Sequence, residues 1–204
     1  GKIATSMDPV NETLQPYYRL DPEELIKVIE STGLLCDGRL LALNSYENRV
    51  YQVGIEDAAP LVAKVYRPGR WTDEQILEEH TFAQEIADAE IPLIAPMVIN
   101  GKTLHEYDGF RFALFERRGG HSPELDQQTV RVWLGRFLGR IHAVGASTPF
   151  LTRPELTIKS FGREPVQTLL EENWIPPHLE TAFSSLSADL LTSVEASFER
   201  AGKI

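Results

Sequence analysis

Residues 43–66, LNSYENRVYQVGIEDAAPLVAKVY, decide the fold. They read as a loop, LNSYEN, feeding a two-stranded hairpin whose second strand carries Lys64. From Leu61 to Tyr66 the residues alternate, so Val62, Lys64 and Tyr66 share one face and Leu61, Ala63 and Val65 the other. One face is apolar; the other displays an ammonium. A lysine in a β-branched run needs an acid partner if it is buried, because an unpaired buried charge costs several kcal/mol.

The next helix offers that acid. Thr72 followed by Gln75 is a capping box, which starts a helix at Asp73. Its apolar stripe is Ile76, Ala83, Ile86 and Ala87, flanked by Leu77 and Phe82. Glu79 falls inside the stripe, while Glu78 points nearly the opposite way. This suggests a Lys64 to Glu79 ion pair. A solvated strand lysine with an acid at the edge of the stripe is the competing reading, and spacing alone leaves both open.

VAK on a strand followed by a helix with an inward glutamate resembles the phosphate-gripping lysine and helix glutamate of the protein-kinase-like fold. LNSYENRVYQV, AKVYRPGRW and ILEEH resemble more specifically the bacterial stress response kinase A (RdoA) family. Those are serine/threonine protein kinases with an aminoglycoside-phosphotransferase-like architecture. The similarity runs from about Leu25 to Ile204 and is densest between Leu43 and Glu79. It implies an α+β fold: an antiparallel, five-stranded amino-terminal lobe with one packed helix, then the helical start of a carboxy-terminal lobe. It implies ATP as the nucleotide and Mg2+ as the metal. Lys64 would hold the α and β phosphates, and Glu79 would position Lys64.

The LNSYEN loop stands where protein kinases carry a glycine-rich loop, but it has no GxGxxG. By resemblance it lies over ATP, with Ser45 and Asn48 at the nucleotide; a polar hairpin turn is the alternative. FALFERRGG leaves the sheet at the position of the kinase hinge, so Glu116 and Arg117 are the candidates for the adenine edge, with Phe115 as apolar neighbour. A solvated charge pair at a loop start would explain Arg117 and Arg118 equally.

The chain has 204 residues, of which 42% are hydrophobic and 25% charged, an ordinary globular composition. Its 20 basic and 30 acidic residues give a net charge of -10, which disfavours nonspecific binding to nucleic acid or anionic membrane. The single Cys36 cannot form an internal disulfide and has no zinc-type neighbours, which fits a cytoplasmic protein. No signal peptide and no run of eighteen apolar residues occurs. Gly1–Ser6 precede Met7 and read as an expression scar.

Three segments are expected: a loosely ordered lead-in over 1–20, the amino-terminal lobe over 21–115, and a hinge with a partial helical lobe over 116–204. Asp21 caps a helix with Pro22 at its first position. A strand over Leu34–Leu43 is interrupted by a turn at Asp37 and Gly38. Asn100–Gly101 and Asp108–Gly109 are two-residue hairpin signals between strands Met97–Ile99, Thr103–Tyr107 and Phe110–Phe115. Gly101, Lys102 and Thr103 mimic the end of a P-loop, but Pro96 stands where its first glycine is needed. Val130, Trp133, Leu134, Phe137, Leu138 and Ile141 trace an amphipathic helix, with Gly135 and Gly139 placed to admit a close neighbour. His142 at its end reads as structural. A short helix near Val166–Glu172 and a last helix bearing Phe183, Leu186, Leu190, Val194 and Phe198 follow.

Phosphoryl transfer needs a carboxylate to orient the acceptor hydroxyl and hard oxygen ligands for magnesium. In the family these are an Asp with an Asn five residues later, then a second Asp. No Asp of this chain has Asn at the fifth following position. The chain therefore reads as the front part of a kinase, with no catalytic residue and no metal ligand before Ile204, and as inactive alone. Self-association through Leu186, Leu190 and Val194 is expected. A small-molecule phosphotransferase and a non-catalytic nucleotide-binding or interaction module are the alternative functions.

Overall fold

The computed structural model describes Tyr17 and residues 20–202; residues 1–6, which the sequence reading set apart, and most of the expected lead-in lie outside the described residues. Two compact units divide at Thr152 and Arg153.

The first unit is built on a five-stranded antiparallel sheet in the order β1-β2-β3-β5-β4. The strands are β1 (Cys36–Leu43), β2 (Arg49–Ile55), β3 (Leu61–Val65), β4 (His105–Tyr107) and β5 (Phe110–Glu116). Its helices are α1 (Pro22–Glu30), α2 (Asp73–Asp88) and α3 (Gln128–Gly145). Alternation along β3 sends Leu61, Ala63 and Val65 into the core while Val62 and Lys64 stay half-buried. Those three join Val53, Phe112 and Leu114 from the neighbouring strands and Leu25, Val28 and Ile29 from α1. The opposite face carries Tyr66, Ala113 and Ile76 of α2. The sheet thus has a helix on each face, where the sequence reading supplied one. Tyr17 and Leu20 are buried in the α1 cluster.

Both predicted caps are present. Asp21 and Glu24 form a reciprocal capping box at α1, and Thr72 and Gln75 do so at α2. Both hairpins turn through consecutive positive φ angles, 52° and 74° at Asn100 and Gly101, 50° and 79° at Asp108 and Gly109, as a type I′ turn requires.

Three expectations need correction. The turn at Asp37 and Gly38 is a bulge inside a continuous β1: Gly38 takes φ 86°, the Asp37 carboxylate accepts the Arg39 N–H at 2.9 Å, and the register slips between Cys36 and Leu40. Met97–Ile99 does not form a strand; it keeps one ladder bond, from Met97 N–H to the Leu114 carbonyl at 2.7 Å, and one bridge between Ile99 and Lys102. Two prolines just upstream, Pro92 and Pro96, restrict that approach. Gly135 and Gly139 face open space. Within α3 the glycine at a close contact is instead Gly145, where an added methyl group would stand 3.3 Å from the Phe82 ring of α2.

The second unit contains α4 (Glu164–Glu171), entered through a π-helical turn at Lys159–Arg163, and α5 (Glu180–Ala201). Arg163 pairs with Glu195 at 2.6 Å between them. Leu186 and Leu190 are exposed on α5, and Val194 is half-buried. Among the described residues no helix is long and apolar enough to cross a membrane.

Candidate nucleotide site

Lys64 leaves the α2 face of β3, and its Nζ donates to Glu79 Oε1 at 3.1 Å. The two readings left open by spacing are thereby separated: Glu79 is the acid that meets the lysine. Glu78, one residue back and rotated by about 100° on a 3.6-residue helix, accepts instead from Thr152 N–H at 3.0 Å and Thr152 Oγ1 at 2.6 Å. The Lys64 ammonium also lies 4.8 Å from the centre of the Tyr66 ring, within cation–π range. The Lys64 side chain is 22% exposed and that of Glu79 37%, so the pair is shielded yet reachable from solvent.

The pair borders a cleft of about 360 Å³ between the sheet and the two helices. Phe82, Ala83 and Ile86 of α2, Phe115 of β5 and Ile141 of α3 form apolar walls. That volume falls within the range of small-molecule sites.

The remaining candidates line up along β3 rather than inside this cleft. Glu116 pairs in register with Leu61, at the start of the strand. Lys64 stands at its middle. Beyond its end, Asn48 Oδ1 accepts the Arg67 N–H at 3.2 Å, which ties the 44–48 loop to the strand exit. Glu47 of that loop pairs with Arg70, and its carbonyl accepts from the Tyr17 hydroxyl at 3.3 Å. Arg67 lies six positions after Leu61, roughly 20 Å of extended chain at ~3.3 Å per residue. Hinge candidates, lysine and loop thus follow one another along a single strand. Ser45 and Arg117 are exposed. Glu116 accepts from Arg118 at 3.2 Å, so its carboxylate is already engaged.

One residue escaped the sequence reading. His80 is 4% exposed and bonded at both ring nitrogens, Nε2 to the Tyr66 hydroxyl at 2.7 Å and Nδ1 to Thr103 Oγ1 at 2.9 Å. It follows Ile76 by four residues and precedes Ala83 by three, so the helical period that selected the stripe contains it. Among the described residues no group of three or more His, Cys, Asp or Glu could hold a metal ion.

A lysine on the central strand of a five-stranded antiparallel sheet, paired with a glutamate of the following helix, defines the protein-kinase-like architecture. The chain belongs to the phosphotransferase enzyme family, whose model matches residues 39–195. It is 38% identical over 187 residues to stress response kinase A of Escherichia coli strain K12, covering 92% of this chain and 57% of that protein. It is likewise 38% identical over 185 residues to serine/threonine protein kinase RdoA of Salmonella typhimurium, covering 91% and 56%. The chain thus spans little more than half the length of these curated relatives. Among solved structures it resembles amicoumacin kinase hAmiN in complex with AMP-PNP, Ca2+ and Ami, with a TM-score of 0.66 at 17% identity over 85% of this chain and 54% of that one. It also resembles spectinomycin phosphotransferase APH(9)-Ia in complex with ADP and spectinomycin, with a TM-score of 0.57 at 16% identity over 89% and 59%. At such identities these likenesses show the fold.

Proposed function

We propose that this chain is the nucleotide-gripping part of an ATP-dependent serine/threonine protein kinase of bacterial stress response. Lys64 receives the α and β phosphates, Glu79 holds the lysine in place, Ser45 and the Nδ2 group of Asn48 cover the nucleotide, and Glu116 and Arg117 border the base. The observation that carries the reading is the 3.1 Å Lys64–Glu79 pair beside the cleft. Exposed ion pairs add little stability, typically under about 1 kcal/mol. A half-shielded lysine held on a strand is explained better as a grip for an anion.

The chain by itself is expected to bind nucleotide and transfer no phosphate. An Asp to orient the acceptor hydroxyl, with its companion Asn, is absent from the sequence. A protein acceptor is favoured over a small molecule because the 38% identical relatives are named as stress response and serine/threonine protein kinases. The neighbours named for antibiotics share only 17% and 16% of residues. ATP-dependent thermal shift, run with a radiolabel transfer assay, tests both halves. A shift in the wild type that disappears in Lys64→Ala, without labelled product, is the expected result. Lys64-dependent phosphate release would overturn the inactive half, and a shift indifferent to Lys64 the binding half.

A further inference from the structure

One buried side chain of the first unit has no assigned task, His80. It is the residue after Glu79, on the sheet side of α2, and it joins three parts of the fold. Its Nε2 meets Tyr66, one step beyond Val65 at the end of β3, at 2.7 Å. Its Nδ1 meets Thr103, just after the Asn100–Gly101 turn, at 2.9 Å. Tyr66 is itself 3% exposed, and its ring faces the Lys64 ammonium at 4.8 Å. A continuous path of contacts therefore runs from Thr103 through His80 and Tyr66 to Lys64.

An apolar residue at this point would bury the same area without fixing how far α2 is rotated about its axis. One residue of a helix turns by about 100°, so the rotation that seats His80 between two hydroxyls is also the rotation that aims Glu79 at Lys64. A neutral imidazole carries one N–H and one acceptor nitrogen. Each hydroxyl can donate or accept, so both bonds form with either tautomer and no buried polar atom of the three is left unmatched.

We infer that His80 is a positioning residue: hydrogen-bonded between Tyr66 and Thr103, it sets the rotation of α2 and with it the geometry of the Lys64–Glu79 pair. The inference rests on the nucleotide reading only for its consequence in binding; the geometry of the pair is observable without nucleotide. It distinguishes Thr103, which does not line the cleft, as a site from which nucleotide affinity can be altered at a distance.

The test uses the full chain with His80→Phe, His80→Gln and Thr103→Val, two readouts and one reference. The first readout is the 13C resonance of reductively methylated Lys64, assigned by its loss in Lys64→Arg and compared with Glu79→Gln. The second is affinity for ATP by calorimetry. His80→Phe and Thr103→Val are expected to move the Lys64 resonance toward its position in Glu79→Gln and to weaken ATP about tenfold, the size of a modest coupling between sites. Gln can bond both hydroxyls, so His80→Gln should restore both readouts to near the wild-type values. Unchanged Lys64 resonance and ATP affinity in both disruptive variants would overturn the inference. If His80→Phe fails to fold, Thr103→Val, which conserves shape, decides alone. If the wild type binds no ATP while His80→Phe still moves the Lys64 signal, the nucleotide reading falls and the positioning role stands.

Discussion

Two titratable groups, half-buried Cys36 and buried His105, report on the packing of the first unit. Burial, with Glu30 and Asp37 adding negative charge, pushes the Cys36 thiol up from 9.0 to about 11. The unfolded chain ionises first, so stability is full below about pH 9 and is lost as pH rises toward 11; a folded chain at pH 8 should react with maleimide far more slowly than a denatured one. His105 shifts the other way: burial and nearby Lys102 hold its pKa below the ordinary 6.5. Below pH 6.5 the unfolded chain takes up the proton first, so stability falls as the solution is acidified. His105 Nε2 is buried without a hydrogen-bond partner, and the ring packs 5.4 Å from Phe112. His105→Phe removes an unmatched polar atom at similar shape. Urea melts should show it as stable as the wild type or more so, by up to about 1 kcal/mol, and less sensitive to pH between 5 and 6.5.

At the scale of elements, α2 is the part on which the site depends. Its start is fixed three times, by the Thr72–Gln75 capping box, by the Arg111–Asp73 pair at 2.6 Å, and by Arg111 donating to the Trp71 carbonyl at 2.9 Å. Thr72→Ala should cost about 1 kcal/mol in chemical denaturation and weaken ATP binding, because the turn it frays leads directly to Glu79. This helix and its lysine were legible because two periods intersect there: β-alternation turns Lys64 out of the α1 core, and the 3.6-residue repeat turns Glu79, not Glu78, toward it. His80 lay on the same stripe but was passed over, since a polar residue registers as an interruption until its partners, Tyr66 and Thr103, are known from tertiary contact. The bulge at Gly38 and the open surroundings of Gly135 and Gly139 were illegible for a related reason. A glycine advertises freedom, and only the neighbouring strand or helix decides how that freedom is used.

Across the whole molecule, stability is unevenly distributed. Every fully buried apolar side chain among the described residues lies between Tyr17 and Leu114, whereas in the second unit only Ser187 is buried. A unit of some fifty residues without a buried apolar side chain has little to hold it. Amide exchange should therefore find strong protection in β2, β3 and β5 and near-free exchange over 153–202. Leu186 and Leu190, 70% and 60% exposed, make that unit adhesive. Sedimentation should show concentration-dependent association that Leu186→Glu with Leu190→Glu abolishes. The central claim, that Lys64 braced by Glu79 receives the anionic part of a nucleotide, is tested most directly by calorimetric titration of wild type and Lys64→Ala with ATP and with adenosine. One charge-assisted contact is worth about 1.5–3 kcal/mol, so the account predicts ATP binding weakened at least about tenfold with adenosine binding unchanged. Equal affinity of the two proteins for ATP, or an equal loss for both ligands, would contradict it.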